Sequence, residues 1–225
     1  LSLQVRPGEL YGFLGQNGAG KTTTIRMLAG LLQPSEGEVR IVGMNYAEHG
    51  SALRRRVGLV PDTPPLYDYL TGRQYLALVA SLWQVGRRER DERAERLFDL
   101  LQLTDIADDL CKSYSHGTRK KVHVAAVLAT APDVLLLDEP TTGLDPLSTR
   151  RLKDLLRAEA ARGAAVLLST HVLETAEQIC HRVGILAAGT LRAEGTADEL
   201  RVAHGGGTLE DVFLRLTEAP AKSKS

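Results

Sequence analysis

The chain has 225 residues, of which 43% are hydrophobic, and it carries 28 basic and 28 acidic side chains. This length is sufficient for a large core in one domain or two lobes, and the balanced charge argues against a nucleic-acid or anionic-lipid partner attracted by net charge. The two cysteines are too few for a disulfide framework and indicate a reducing compartment, and no apolar run reaches the roughly 18 residues of a membrane span.

The chain begins within an alternating apolar pattern that is typical of a strand. Leu1, Leu3 and Val5 alternate as in a strand that is already under way, and there is no initiator Met, so we expect that N-terminal sequence is missing. A turn at residues 6–9 leads into residues 9–14, which are apolar after Glu9 and predict a short buried strand.

The next eight residues fit the pattern G-x-x-x-x-G-K-[ST] of a phosphate-binding loop. Its glycines allow successive backbone N–H groups to converge on phosphate oxygens. Lys21 can reach the β- and γ-phosphates, Thr22 can ligate Mg²⁺, and a helix predicted over residues 22–32 directs its positive end at the anion. We therefore predict a nucleoside triphosphate site, and its binding residues are Gly15, Gln16, Asn17, Gly18, Ala19, Gly20, Lys21, Thr22 and Thr23.

Strands and turns alternate beyond this loop, and the pattern then becomes helical. Residues 37–42 and 57–60 are typical of strands, helical periodicity covers residues 71–103, and a further helix is predicted over residues 120–129. Because strands return afterwards, the sequence predicts an α/β core that is interrupted by an all-helical insertion near residues 63–131.

Two acidic residues close the next strand. Residues 134–137 are apolar, as in a strand buried on both faces of a parallel sheet, and Asp138 and Glu139 follow at the edge where ligands bind in such sheets. In P-loop proteins an Asp at this place holds Mg²⁺, and a Glu one residue further can accept a proton from the attacking water. We therefore predict Asp138 as a metal ligand and Glu139 as the general base.

A histidine closes the strand after that. Residues 166–168 are apolar, and His171 follows two polar residues later. An imidazole beside the nucleotide edge can hydrogen-bond to the γ-phosphate or to the attacking water, so His171 joins the predicted catalytic residues. Between these two strands, Asp145 and Pro146 predict the N-cap and first turn of a helix.

With these motifs placed, the chain resembles the ATP-binding subunits of ABC transporters across nearly its whole length. Five motifs of that family occur in its order: residues 15–22 resemble Walker A, 114–119 the family signature, 134–139 Walker B, 143–145 the D-loop, and His171 the switch histidine. The resemblance implies an α/β fold, a P-loop NTPase core of the RecA type with an antiparallel β subdomain and an inserted helical subdomain.

The resemblance also sets the expected division of the chain. The ATPase domain is expected over residues 1–218, with the α/β core at 1–62 and 132–218 and the helical subdomain at 63–131. The remaining residues, 219–225, are rich in Pro, Lys and Ser and are predicted to be disordered.

In this family each ATP is bound between the Walker A loop of one subunit and the signature of its neighbour. The resemblance therefore implies ATP and Mg²⁺ as ligands, and a homodimer or a paired ABC subunit with ATP at the interface. Ser115 and Gly117 are expected to contact the neighbour's γ-phosphate, and Asp145 to communicate across the interface.

The resemblance also implies a membrane permease as a partner, and it implies no nucleic-acid partner. Through the permease the subunit would lie on the cytoplasmic face of a bacterial membrane. Residues 209–214 also resemble the ABC-2-type bacterial subfamily, most of whose members are exporters. The loop at residues 62–69 is the predicted docking surface, because Pro64, Pro65, Leu66 and Tyr67 offer a rigid apolar face, although a plain surface loop is the alternative.

Three positions depart from the family pattern. His116 replaces a Gly that is common in the signature, and it either crowds the phosphate or adds a donor. Asp62 stands where the family has a Gln, so we predict that Asp62 contacts Mg²⁺ directly or through water. No aromatic residue precedes Leu1 to stack on adenine, and Tyr11 lies inside a strand, so we expect weak ATP binding.

Two other functions stay open. One is an ABC-type ATPase that acts on nucleic acid or the ribosome without a membrane partner, although its usual coiled coil or second cassette is not seen in the sequence. The other is a nucleotide-binding regulator without turnover, for which His116 and Asp62 are the support. A GTPase is disfavoured because the sequence has no N-K-x-D motif.

Overall fold

The computed structural model describes residues 1–218, which form one α/β assembly around a mostly parallel sheet. The strands are β1 (Leu10–Gly15), β2 (Val57–Val60), β3 (Val134–Asp138), β4 (Ala165–Thr170), β5 (Arg182–Ala187) and β6 (Thr190–Gly195). The helices are α1 (Lys21–Leu28), α2 (Tyr46–Arg54), α3 (Gly72–Leu82), α4 (Arg87–Leu100), α5 (His116–Leu128), α6 (Pro146–Ala161), α7 (Leu173–Ile179), α8 (Ala197–Ala203) and α9 (Leu209–Glu218).

The sheet has the order β2-β3-β4-β1-β5-β6 within the described residues. The first five strands are parallel to their neighbours, and β6 returns antiparallel to β5. Parallel strands present their carboxyl ends at one edge, and the segments that follow β1, β3 and β4 therefore meet there. These segments contain the phosphate-binding loop, the acid pair and His171.

Both faces of the sheet are covered. Leu135 and Leu137 of β3 pack in the cluster that contains α5 and α6 residues, whereas Leu136 faces the opposite cluster with Ile25 of α1. Strands buried on both faces are nearly continuous apolar runs, which explains why residues 134–137 were recognisable. The predicted α/β fold with a P-loop core is confirmed.

Several predicted elements have shifted bounds. Helix α5 begins at His116 instead of residue 120 because Ser115 serves as its N-cap, with the Ser115 hydroxyl accepting from the Thr118 N–H at 3.2 Å. Helix α1 ends at Leu28, four residues before the predicted end at residue 32. Gly30 follows with a φ of +68°, which is incompatible with a right-handed helix. Asp145 caps α6 with Pro146 in the first turn, as predicted.

The strands predicted at residues 1–5 and 37–42 are not formed in the described part of the chain. One isolated antiparallel bridge joins Ile41 and Met44, and the antiparallel β subdomain is represented by this bridge alone. Leu3 and Val39 still pack on the face of the sheet, so their apolar alternation is satisfied without a strand ladder. A two-stranded ribbon by itself is at best marginally stable.

One negative finding concerns the described residues. None of the helices within residues 1–218 has both the length and the apolar character that crossing a bilayer requires. The prediction for residues 219–225 lies outside the part of the chain that the structure describes.

Candidate active site

The phosphate-binding loop joins the end of β1 to the start of α1. A Cβ at Gly15 would lie 2.8 Å from the Leu186 carbonyl oxygen, so this position requires glycine. Gly18 and Gly20 adopt φ angles of 80° and 108°, which favour glycine as well. Gly20 is the N-cap of α1 and no side chain caps that helix in the described residues, so its first-turn N–H groups point into the loop as an anion site.

Lys21 lies under this loop with only 6% of its surface exposed. Its ammonium donates to the carbonyl oxygens of Gly15 at 2.6 Å and Gln16 at 3.2 Å, and it lies 3.9 Å from Glu139 Oε1. The side chain therefore places its charge inside the concavity of the loop, where the ammonium can pair with a bound phosphate.

Thr22 and Asp138 form the next contact. The Thr22 hydroxyl donates to Asp138 Oδ2 at 2.7 Å, and the Ser169 hydroxyl donates to Asp138 Oδ1. The second contact follows from the register of the sheet, in which Asp138 of β3 is paired with Ser169 of β4. Asp138 is thereby held buried at the carboxyl edge of the sheet.

This donor set suits Mg²⁺. Thr22 and Asp138 supply a hydroxyl and a carboxylate, both hard oxygen ligands of the kind that Mg²⁺ prefers. Within residues 1–218 there is no group of three or more His, Cys, Asp or Glu side chains that could enclose a metal ion. Mg²⁺ in phosphate sites takes one or two protein ligands and completes its shell with phosphate and water, so the two ligands fit that use.

Glu139 has an unusual backbone and a partly unsatisfied carboxylate. Its φ is +47°, in the left-handed region, and its N–H donates to the Ser169 carbonyl oxygen at 3.1 Å. Oε2 lies 3.0 Å from His171 Nδ1, yet it is buried and makes no aligned hydrogen bond with any described residue. A buried carboxylate oxygen of this kind is available to accept a proton from water.

The signature residues lie elsewhere on the surface. Ser115 and His116 are exposed, and a Cβ at Gly143 would lie 2.9 Å from His116 Cδ2, so the imidazole lies against the Gly143 backbone. A Cβ at Gly117 would lie 2.7 Å from the Gly143 carbonyl oxygen. The first turn of α5 thus contacts the turn that precedes α6.

Asp145 belongs to this second group. Its carboxylate accepts from the Ser148 N–H at 2.9 Å and from the Ser148 hydroxyl at 2.6 Å. These two hydrogen bonds lower the pKa of Asp145, and the bond from the hydroxyl has the larger effect. Among the described residues, no hydrogen bond joins Ser115, Gly117 or Asp145 to the phosphate-binding loop. The structure therefore brings Lys21, Thr22, Asp138, Glu139 and His171 together and leaves the signature group apart from them.

Asp62 contacts a residue that sequence reasoning missed. Its Oδ1 lies 3.0 Å from the ammonium of Lys120, a side chain with no exposed surface, and no hydrogen bond in the described residues links Asp62 with Thr22 or Asp138. The available sequence signal was helical spacing, because Lys120 continues the buried stripe of Val124 and Val127 on α5.

His123 was also missed. Burial lowers the pKa of His123 to about 4, so its imidazole is neutral at pH 7. Nε2 lies 3.0 Å from the Leu59 carbonyl oxygen, which can only accept, and Nδ1 lies 2.7 Å from the Tyr75 hydroxyl. His123 therefore joins α5 to the end of β2 and to α3.

A groove of about 340 Å³ lies beside this histidine. It is apolar and is lined by β2, the loop after it, α3 and α5, including Pro61, Pro65, Tyr67, Leu82, Trp83 and His123. Pro64 and Leu66, which were predicted to be on the loop's docking surface, are buried in the protein instead. Pro65 and Tyr67 are the members of the predicted set that line the groove.

Comparisons with known proteins identify relatives of this chain in sequence and in structure. The family model described as "ABC transporter" matches residues 1–142. The daunorubicin resistance ATP-binding protein DrrA3 of Streptomyces coeruleorubidus is 42% identical over 96% of this chain and 68% of its own length. The Nod factor export ATP-binding protein I of Paraburkholderia xenovorans is 37% identical over 95% of this chain and 70% of its own length.

A solved structure described as an ATP-binding subunit of an ABC transporter superposes with a TM-score of 0.92 at 34% identity, covering 96% of this chain and 91% of that one. The chain spans about two thirds of the length of the relatives named above.

Proposed function

The chain belongs to the ABC transporter family of ATP-binding proteins, and from this premise we propose that it hydrolyses ATP as one of a pair of subunits that drive a membrane permease. The observation that carries the proposal is the convergence of Lys21, the Thr22–Asp138 contact and the Glu139–His171 pair at one edge of the sheet. Each of these groups has a distinct task in phosphoryl transfer to water.

Binding and chemistry are divided among these residues. The loop N–H groups and Lys21 hold the phosphates, and Mg²⁺, when held by Thr22 and Asp138, would neutralise charge on the β- and γ-phosphate oxygens. Glu139 accepts the proton of the attacking water through its buried Oε2. His171 orients the water or the γ-phosphate, because its Nδ1 lies 3.0 Å from that same oxygen and its side chain is 56% exposed.

The signature group is proposed to act on the nucleotide of a second subunit. Ser115, Gly117 and Asp145 make no hydrogen bond to the loop of their own chain within residues 1–218, whereas α5 directs its N-terminus outward at an exposed serine. Such a terminus attracts an anion. A homodimer that encloses two ATP molecules uses both groups, and hydrolysis of the shared γ-phosphate opens it because the ligand then binds the closed state less well.

The groove is the proposed contact with the permease. It is apolar, it is lined by Pro65, Tyr67 and Leu82, and Leu82 is 62% exposed. An amphipathic helix of a membrane partner fits such a groove by its apolar face. This contact would hold the subunit at the cytoplasmic face of a bacterial membrane.

Export is the proposed direction of transport. The printed names of two relatives refer to drug resistance and to export of a Nod factor, and residues 209–214 resemble the same subfamily. The substrate itself is selected by the permease.

The test uses Glu139→Gln, which keeps the size of the side chain but removes its basicity. Phosphate release from ATP with Mg²⁺ should fall by about 100-fold or more, while ATP-dependent dimers, measured by light scattering, persist or increase. Glu36→Gln, at an exposed glutamate in a loop, is the matched control and should match the parent protein.

Lys21→Ala separates binding from chemistry in the same assay, since it should weaken the binding of ATP itself. If the parent protein releases no phosphate even with its permease in vesicles, the proposed function is wrong. If Glu139→Gln is fully active, the role of Glu139 as the base is wrong.

A further inference from the structure

Lys120 is a charged side chain with no contact with solvent. It lies in the first half of α5, and its relative exposure is 0%. An ammonium group removed from water is strongly disfavoured unless it is paired and fully hydrogen-bonded. The position of this lysine therefore depends on the groups around its nitrogen.

Those groups match its three N–H bonds one to one. Nζ donates to Asp62 Oδ1, to the Glu139 carbonyl oxygen and to the Thr142 carbonyl oxygen, at 3.0 Å in each case. The three acceptors come from three segments: the loop after β2, the end of β3, and the turn before α6. We call this arrangement the Lys120 clasp.

The clasp acts on the backbone of Glu139. The Glu139 N–H donates to the Ser169 carbonyl oxygen, and the Glu139 carbonyl oxygen accepts from Lys120 Nζ and from the Thr142 N–H at 3.2 Å, so both backbone polar groups of the residue are fixed. Its φ of +47° lies in the left-handed region, which residues other than glycine adopt infrequently, and these hydrogen bonds help to hold it there. Rotation of this backbone would move the carboxylate away from Lys21 and His171.

Asp62 connects the clasp to the groove. It lies in sequence between Pro61 and Pro65, both of which line the groove, and half of its side chain is exposed. One carboxylate oxygen is occupied by Lys120. If Asp62 turned to a metal instead, the buried ammonium would lose its only counter-charge among the described residues.

We propose that Lys120 is a positioning residue that holds Glu139 in the geometry for hydrolysis, and that Asp62 acts through this ion pair instead of as an Mg²⁺ ligand. The inference rests on the proposed function in one respect, the role of Glu139 as the base. It replaces the expectation that Asp62 contacts the metal, and it makes the loop beside the groove part of the support of the catalytic carboxylate.

The first test needs no nucleotide. Thermal unfolding of the parent protein, Asp62→Asn, Lys120→Met and the double variant forms a double-mutant cycle. The clasp predicts that the decrease in melting temperature of the double variant is clearly smaller than the sum of the decreases of the two single variants. Additive losses would overturn the ion pair, and this readout stands even if the protein proves to have no ATPase activity.

The second test measures turnover and ATP binding separately. Lys120→Met should lower kcat by about tenfold or more and change the Kd of a fluorescent ATP analogue by less than about threefold. Lys120→Arg, which retains charge and donors, should recover part of kcat, and Lys121→Met is the matched control on the same helix. Equal losses in kcat and in ATP binding, or an unaffected Lys120→Met, would overturn the positioning role.

The third test concerns the metal. Asp62→Asn is the milder of the two changes, because the amide retains an oxygen that can accept from Lys120 Nζ and half of the side chain at this position is exposed. The Mg²⁺ concentration for half-maximal activity should stay within about threefold of the parent value while kcat falls. A rise of about tenfold or more in that concentration would make Asp62 a metal ligand and refute the clasp.

Discussion

The buried histidine His123 makes stability depend on pH in a defined window. Burial lowers the pKa of His123 from 6.5 to about 4, and the Leu59 carbonyl oxygen and Tyr75 hydroxyl hold the neutral ring. In the unfolded chain the same ring takes up a proton near pH 6.5. The stability that comes from keeping it neutral is therefore complete above pH 6.5 and is lost as the pH falls from 6.5 towards 4.

The size of the effect follows from the two pKa values. At pH 5 the unfolded ring is almost fully protonated and the folded ring almost fully neutral, which costs about 2 kcal/mol of unfolding free energy. The limit at still lower pH is ~3 kcal/mol, because each pKa unit is worth about 1.4 kcal/mol. Well below pH 4, where both states are protonated, this residue contributes no further loss.

The assay is urea unfolding followed by circular dichroism at pH 7.5 and at pH 5. The parent protein should lose about 2 kcal/mol more between the two pH values than His123→Gln does, since the carboxylates that also titrate are common to both proteins. His49→Gln, which removes an exposed imidazole, is the control for the loss of a histidine. Identical losses in the parent protein and in His123→Gln would refute the reasoning.

Two glycines of the site give further predictions. Gly15→Ala places a Cβ 2.8 Å from the Leu186 carbonyl oxygen, so the loop must shift and the Kd for ATP should rise by about tenfold or more, as isothermal titration would show; unchanged affinity would mean that the loop tolerates the side chain. Gly117→Ala places a Cβ 2.7 Å from the Gly143 carbonyl oxygen, and it should reduce ATP-dependent dimers in light scattering while single chains bind ATP as before. Gly86→Ala, with open space around its Cβ, is the control for both, and a Gly117→Ala protein that pairs normally would contradict the assigned role of the signature turn.

The nucleotide site was predictable because its signals are local. The spacing of glycines before Lys21 is fixed by the path that backbone N–H groups take around a phosphate, and an apolar run ending in Asp138 and Glu139 marks a buried parallel strand with its carboxyl end at the ligand edge. The structure places these residues within hydrogen-bond or ion-pair distance of one another, although their chemical roles remain predictions.

Long-range partners were not predictable in the same way. Helical spacing places Lys120 on the buried stripe of α5, but it does not reveal the partners of the ammonium, which come from the loop of Asp62 and the end of β3. Strand β6 escaped prediction because its side chains are mostly half-exposed and show no apolar alternation. Conversely, Val39 alternates with Ile41 as a strand would, but both pack on the sheet without a ladder.

The groove contains the only tryptophan of the sequence, Trp83. Its indole Nε1 is buried and has no hydrogen-bond partner among residues 1–218. The fluorophore therefore lies in apolar surroundings at the C-terminal end of α3. Indole emission shifts with the polarity around the ring. The protein therefore carries an intrinsic optical reporter of whatever occupies this groove, and the wavelength and intensity of its emission can follow seating of a partner helix without a label.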